Sequence, residues 1–249
     1  MKITGVMQPC IIFFREPQPG YVGTKNICHK DTKARNLRLS NQGENMSDLI
    51  DNPEEYFRQF VPERDQLLIK LEEEAREEEI PIVGPLVGEL LHILARATQA
   101  ERILELGTAT GYSTIFLARA FATPRGRLVT IDNDPDLAAR AAANFHKAGL
   151  GRQIDMIVGD AQEKLSQMNK CFDFIFLDIE KEHYASVLPD CGRLMKPDGL
   201  LVADNVGFKD ADSFNRLISR SSEWRSVNLF AYLPLHSPER DGLCLALRR

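Results

Sequence analysis

Arg102-Ile103-Leu104-Glu105-Leu106-Gly107-Thr108-Ala109-Thr110-Gly111-Tyr112-Ser113-Thr114 is the stretch whose reading decides the fold. An apolar run carrying an acid breaks at a glycine, and an amphipathic helix is predicted from Tyr112 to about Phe121. Strand, glycine turn and helix in that order mark the place where an open parallel sheet receives a nucleotide-like ligand, at the carboxyl ends of its strands.

The spacing narrows the ligand. A dinucleotide loop uses three glycines as G-x-G-x-x-G to bring backbone against a pyrophosphate. Here only Gly107 and Gly111 are present, and no Lys-Ser/Thr pair follows as in a P-loop. Glu105 would repel a pyrophosphate and attract a cation. S-adenosylmethionine carries an ammonium and a sulfonium and no phosphate, so Glu-x-Gly-x-x-x-Gly favours a methyl donor over NAD. Taken alone, the loop also reads as an ordinary strand-to-helix turn with glycines kept for positive φ.

The 249 residues carry a net charge of −5, enough chain for one large α/β domain. An acidic balance leaves no electrostatic footprint for nucleic acid. Cys10, Cys28, Cys171, Cys191 and Cys244 are odd in number, scattered and without metal spacing, so they read as reduced thiols of a cytoplasmic protein. No apolar run approaches the ~20 residues of a membrane span, and no membrane association is expected. Residues 1–45 hold prolines, glycines and an excess of basic residues without any period. They are expected to form a flexible arm, with Met46 as an alternative start. Residues 46–249 then form a single domain, with leading helices over 46–98 and a catalytic core over 99–249.

Asn52-Pro53-Glu54-Glu55 is a cap, a first-turn proline and two first-turn acids, and so opens a helix. Helices are predicted over 63–79 and 86–97, with a loop at 80–85 that reaches donor or substrate. Strands are expected near 102–106, 127–132, 153–158, 172–177 and 199–203. Helices alternate with them near 112–121, 135–148, 161–168, 183–194 and 210–221. Two last strands, near 226–233 and 242–248, have no helix between them. The pattern predicts a Rossmann-like α/β fold: a mostly parallel seven-stranded sheet, covered on both faces, ending in an antiparallel hairpin.

Asp132 ends the second strand, where an acid accepts hydrogen bonds from ribose hydroxyls. Asn133 or Asp134 serves better as the cap of the helix that follows. Asp160, with Ala161 and Gln162, follows the third strand and is placed either to hold an adenine edge or to cap the next helix. Asp178 stands at the tip of the fourth strand, and Asp204 with Asn205 at the tip of the fifth. Adjacent parallel strands bring these tips to the edge that carries the glycine loop. Two carboxylates and a carboxamide form a hard oxygen site suited to Mg²⁺ or Mn²⁺. No thiolate or imidazole stands where it would select zinc. Lys181, three residues after Asp178, is a general base if a cation lies beside it and otherwise an exposed first-turn lysine.

From about Asp51 to Arg249 the chain resembles the cation-dependent O-methyltransferases that include the catechol and caffeoyl-coenzyme A enzymes. Glu105 to Ser113 resembles the family's donor loop, and Asp132 stands at its ribose acid. Asp178, Asp204 and Asn205 match its metal ligands, Lys181 its catalytic lysine, and Asp241-Gly242-Leu243 its closing motif. The resemblance implies S-adenosylmethionine held by Glu105, Gly107, Thr108, Gly111, Tyr112, Ser113, Asp132, Asp160, Ala161 and Asp178. It also implies Mg²⁺, Mn²⁺ or Ca²⁺, a small hydroxylated acceptor such as a catechol, and a homodimer. A hydroxyuridine in tRNA is the alternative acceptor within the family, and a non-catalytic donor-binding protein is the rival outside it. The sequence departs from the family at Ile179-Glu180, at Val206-Gly207-Phe208-Lys209 and at His236-Ser237-Pro238-Glu239-Arg240. In the last of these Glu239 is the candidate for holding the acceptor's second hydroxyl.

Overall fold

The structure is a computed structural model that describes residues 50–249; the expectations for residues 1–45 and Met46 lie outside the described residues. Helix α1 (Pro53–Arg58) opens as its sequence requires, with Asn52 accepting from the Glu55 amide and proline in the first turn. Helix α2 (Gln66–Glu77) starts three residues later than the predicted 63 because Asp65 caps it, accepting from the Leu68 amide at 3.0 Å. Helix α3 (Gly84–Ala97) leads into the alternating part of the chain.

That part runs β1 (Arg102–Leu106), α4 (Tyr112–Arg119), β2 (Arg127–Asp132), α5 (Pro135–Lys147), β3 (Ile154–Val158), α6 (Ala161–Gln167) and β4 (Phe172–Leu177). A short 3₁₀ turn (Lys181–His183) precedes α7 (Tyr184–Leu194) and β5 (Met195–Ala203). A second 3₁₀ turn (Lys209–Ala211) precedes α8 (Asp212–Arg220), β6 (Trp224–Tyr232) and β7 (Arg240–Arg248). The one strand clearly longer than expected is β5, which starts at Met195 and continues through Pro197-Asp198-Gly199. That tripeptide reads as a turn. Here Asp198 takes φ 61° and the pairing with β4 shifts between Phe172 and Phe174, so the strand continues through an irregularity.

The sheet has the order β3-β2-β1-β4-β5-β7-β6, parallel as far as β5 and antiparallel thereafter. Alternate residues of each strand supply two cores, as a sheet covered on both faces demands. Ile103, Leu128, Phe174 and Val202 pack with α2, α3 and α4 on one face. Leu104, Val129, Ile175 and Leu201 pack with α6, α7 and α8 on the other. Of the leading helices, α2 and α3 thus cover one side of the sheet, while α1 buries no side chain.

The chain reverses its direction of travel across the sheet between β1 and β4, and the strand tips there are laced together. The Gly107 amide donates to the Ile131 carbonyl at 2.9 Å, Asp178 to Leu106 at 2.8 Å, and Asp204 to Leu177 at 3.0 Å. Each tip therefore takes its height from its neighbour. Gly107 has φ 95°, and a Cβ on it would stand 1.9 Å from the carbonyl oxygen of Asp178. Only glycine allows β1 to turn that close to β4. Gly107→Ala is expected to cost about 2–4 kcal/mol of unfolding free energy, measured by urea denaturation. A loss below about 0.5 kcal/mol would mean that the loop does not press on β4.

Candidate active site

The carboxyl ends of β1, β2, β4 and β5 open into one cavity of about 1070 Å³. Its wall includes Gly107, Thr108, Tyr112 and Ser113 from the glycine loop and α4, Asp132 from β2, and Asp160 and Ala161 after β3. It also includes Asp178, Lys181, Asp204 and Asn205. The loop at Ile80–Val83 closes one side with apolar surface.

Two of the residues expected to hold the donor do not reach this wall. Glu105 is fully buried, and Ser113, Thr114 and Thr130 donate their hydroxyls to its carboxylate at 2.7, 2.5 and 2.7 Å. Its oxygens are engaged beneath the loop, away from the cavity wall. Burial pushes the Glu105 carboxyl up to about 7, against the pull of the three hydroxyls. Gly111 is the second case. It caps α4 at φ 86°, where a Cβ would strike the Phe145 ring at 2.4 Å. Both residues shape the loop from below.

Asp132 faces the cavity and braces the loop as well. Its Oδ2 accepts the amides of Thr108 at 2.9 Å and Ala109 at 2.8 Å, and its Oδ1 accepts that of Asp134 at 2.9 Å. A carboxylate has about four acceptor positions, which leaves about one for a ribose hydroxyl where two were expected. The helix cap falls to Asp134, which accepts from the amides of Asp136 and Leu137. Asp160 does both things left open for it, capping α6 through the Glu163 amide at 2.8 Å while lining the cavity. The Tyr112 hydroxyl is committed to Glu72 at 2.6 Å, leaving the ring as its part of the wall.

At the other end of the cavity the Lys181 ammonium donates to Asp178 Oδ1 at 3.1 Å. Burial and the neighbouring Asp204 charge push Asp178 up to about 6, with Lys181 and His236 opposing. Asn205 has φ 51°, and this left-handed backbone turns its side chain toward Asp241, to whose Oδ2 its Nδ2 donates at 2.6 Å. The other Asp241 oxygen accepts the amides of Gly207 at 3.1 Å and Gly242 at 2.6 Å. Buried Asp241 thus orients Asn205 and leaves the carboxamide Oδ1 without a hydrogen bond among the described residues. Two mutually repelling carboxylates and a free carboxamide oxygen on one wall fit a divalent cation. Among the described residues no three His, Cys, Asp or Glu side chains stand together so that they could hold a metal ion by themselves.

Two readings need correction at this end. An imidazole does stand beside Asp204: buried His236 places Nε2 2.9 and 3.1 Å from its two oxygens. Burial lowers its pKa, but the Asp204 carboxylate more than offsets this and raises it overall. Glu239, the candidate for the acceptor's hydroxyl, is absent from the wall. Arg58 donates to its two oxygens at 2.9 and 2.7 Å and the Leu235 amide to one of them at 3.0 Å, so it ties α1 to the loop before β7. No local pattern marks His236, which is brought to Asp204 across 32 residues by the β6–β7 connection.

A family model described as O-methyltransferase matches residues 61–212. The chain belongs to the O-methyltransferase family. It is 37% identical over 164 residues to a catechol O-methyltransferase of Niastella koreensis, spanning 64% of this chain and 74% of that protein. It is 34% identical over 173 residues to one of Mycobacterium tuberculosis, spanning 65% and 78%. Among solved structures, the O-methyltransferase of Bacillus cereus in complex with SAH superposes with a TM-score of 0.72 at 26% identity, over 79% of this chain and 97% of that one. TomG of Streptomyces achromogenes, in complex with SAM, gives 0.71 at 31% identity over 80% and 96%. This O-methyltransferase is S-adenosylmethionine-dependent, and no helix among its described residues is long and apolar enough to cross a membrane.

Glu105 gives the O-methyltransferase a pH signature. Its folded pKa of about 7 lies above its ordinary 4.5, so the native state holds the proton more tightly and stability declines as pH rises from 4.5 toward 7. The contribution is fully present below the lower value and lost above the higher one. Glu105→Gln removes the titration. Between pH 5 and 8 the wild type is expected to lose about 2–3 kcal/mol more than this variant in urea denaturation. Parallel curves for the two proteins would contradict the assignment.

Proposed function

We propose that this O-methyltransferase is cation-dependent and methylates one hydroxyl of a small aromatic acceptor bearing two vicinal oxygens, as in a catechol. The observation that carries this reading is one cavity holding the donor loop at one end and Asp178, Asp204, Asn205 and Lys181 at the other. The names of the relatives in Niastella koreensis and Mycobacterium tuberculosis, both catechol O-methyltransferases, support the acceptor class.

Asp178, Asp204 and Asn205 would hold Mg²⁺, Mn²⁺ or Ca²⁺. Bound there, such an ion would chelate the acceptor's vicinal oxygens and acidify the one that reacts. Lys181 stands beside Asp178 and, in its neutral amine form, would take the hydroxyl proton onto the Nζ lone pair and become the ammonium. The acceptor oxygen then forms its bond to the methyl carbon as the carbon–sulfur bond of the donor breaks. Asp132 and the glycine loop fix the donor end, and Ile82, Phe208 and Pro238 offer apolar surface to a flat ring. The protein's main contribution is alignment of the two reactants.

Methyl transfer to catechol with Mg²⁺ tests this, read by chromatography of the product. Excess chelator or Asp178→Ala is expected to lower kcat/KM by about a thousandfold or more. Lys181→Met is expected to lower kcat by about 10²–10⁴-fold while donor affinity stays within about threefold. Full activity in chelator and in Asp178→Ala would overturn the reading. Methylation of bulk tRNA without catechol turnover would move the acceptor to a hydroxylated nucleoside.

A further inference from the structure

Carboxylates outnumber cations along the cavity wall, where Lys181 is the one lysine and no arginine stands among the described residues. The fold uses most of these acids. Asp132, Asp134 and Asp160 accept backbone amides, and Asp178 and Asp204 face Lys181 and His236. Two are left over. Glu180 and Asp210 are exposed, line the cavity, and accept no hydrogen bond with their side chains among the described residues. Glu182 beside them has only His183, at 3.7 Å. These acids share one lip, because the 3₁₀ turns Lys181–His183 and Lys209–Ala211 pack on each other. Phe208, just before the second turn, lines the same wall and is 45% exposed. Neither turn offers its lysine to the opening: Lys181 donates inward to Asp178, and Lys209 lines a separate groove with Asp212 and Arg216. Both turns adjoin segments where the sequence departs from its family, Ile179-Glu180 and Val206-Gly207-Phe208-Lys209, so this lip is the chain's own.

Resting on the proposed methylation of an aromatic acceptor with vicinal oxygens, we infer that Glu180 and Asp210 select that acceptor by charge. A ring whose side chain carries a protonated amine is taken in preference to one carrying a carboxylate or a phosphate. The ground is the missing counter-charge. A divalent ion at Asp178 and Asp204 would offset those two carboxylates and leave the lip's uncompensated. A side chain directed out over the lip meets two carboxylates that attract an ammonium and repel an anion. The exposed face of Phe208 adds to the hold on an ammonium and gives an anion nothing. Acceptors rich in phosphate, nucleic acid among them, meet the same repulsion.

The test gives the full-length chain, with S-adenosylmethionine and Mg²⁺, catechols bearing an aminoethyl, an ethyl or a carboxymethyl side chain. At low salt kcat/KM for the amine is expected to exceed that for the carboxylate by at least about tenfold, chiefly through KM, and the ratio is expected to shrink as salt rises. In Glu180→Gln combined with Asp210→Asn the ratio is expected to fall to about threefold or less, and Glu180→Lys is expected to reverse the order. The ethyl compound, which carries no charge, reads any loss unrelated to charge. S-adenosylhomocysteine affinity, measured by calorimetry on each variant, reads the donor half separately. A wild-type ratio near one, or a ratio unchanged in the double variant, overturns the charge selection and leaves the vicinal-oxygen acceptor standing. Weakened S-adenosylhomocysteine binding with an unchanged ratio assigns the two acids to the donor and overturns it as well. No turnover of any of the three catechols overturns both readings.

Discussion

The close approach of Gly107 to the Asp178 carbonyl, where a Cβ would come within 1.9 Å, sets the relation between the two halves of the cavity. Glycine at this position lets β1 end in a turn that lies directly against the tip of β4. The loop built from that turn lines the cavity, and the tip it touches carries Asp178 on the same wall. Lacing of the amides from Asp204 to Leu177, Asp178 to Leu106 and Gly107 to Ile131 then holds the tips level. A methyl group has to pass between two reactants held at contact distance, and catalysis of this kind depends on such alignment. Here the alignment is a property of the sheet.

Carboxylates stand in opposite surroundings at the two ends. Glu105 is buried with three hydroxyls donating to it, so its needs are met inside the protein and it organises the loop. Half-buried Asp178 has the charge of buried Asp204 close by, with Lys181 donating to Asp178 and His236 facing Asp204. Two carboxylates this close favour positive charge beside them, which is why the proposed function places a cation here. Neighbouring donors distinguish the structural acid from the functional ones.

Much of this was legible in the sequence. Alternation of apolar strands with helices predicted the sheet, and the terminal pair without an intervening helix predicted the antiparallel edge. The strand tips named Asp132, Asp178, Asp204 and Asn205, because tips in a parallel sheet share one edge. Glu105 was expected to hold the donor because of its place before Gly107, and the structure puts it beneath the loop, off the cavity wall. The better signal was its register: Glu105 pairs with Thr130 of β2, and an acid inside a doubly covered strand must find its partners in the core. Asp241 and His236 were harder. Their partners lie 36 and 32 residues away, reached only when β6 and β7 fold back against β5, and no periodicity encodes that meeting. Glu239 lies in the same segment and turns outward to Arg58, a choice made by loop geometry.

Anomalous diffraction from crystals soaked in Mn²⁺ and S-adenosylhomocysteine tests the two-ended cavity most directly. The account predicts one manganese peak within about 2.3 Å of oxygens from Asp178, Asp204 and Asn205, with the sulfur of the nucleoside lying against the Gly107 loop in the same cavity. Manganese bound elsewhere, or a nucleoside seated away from the Gly107–Asp178 contact, would contradict it.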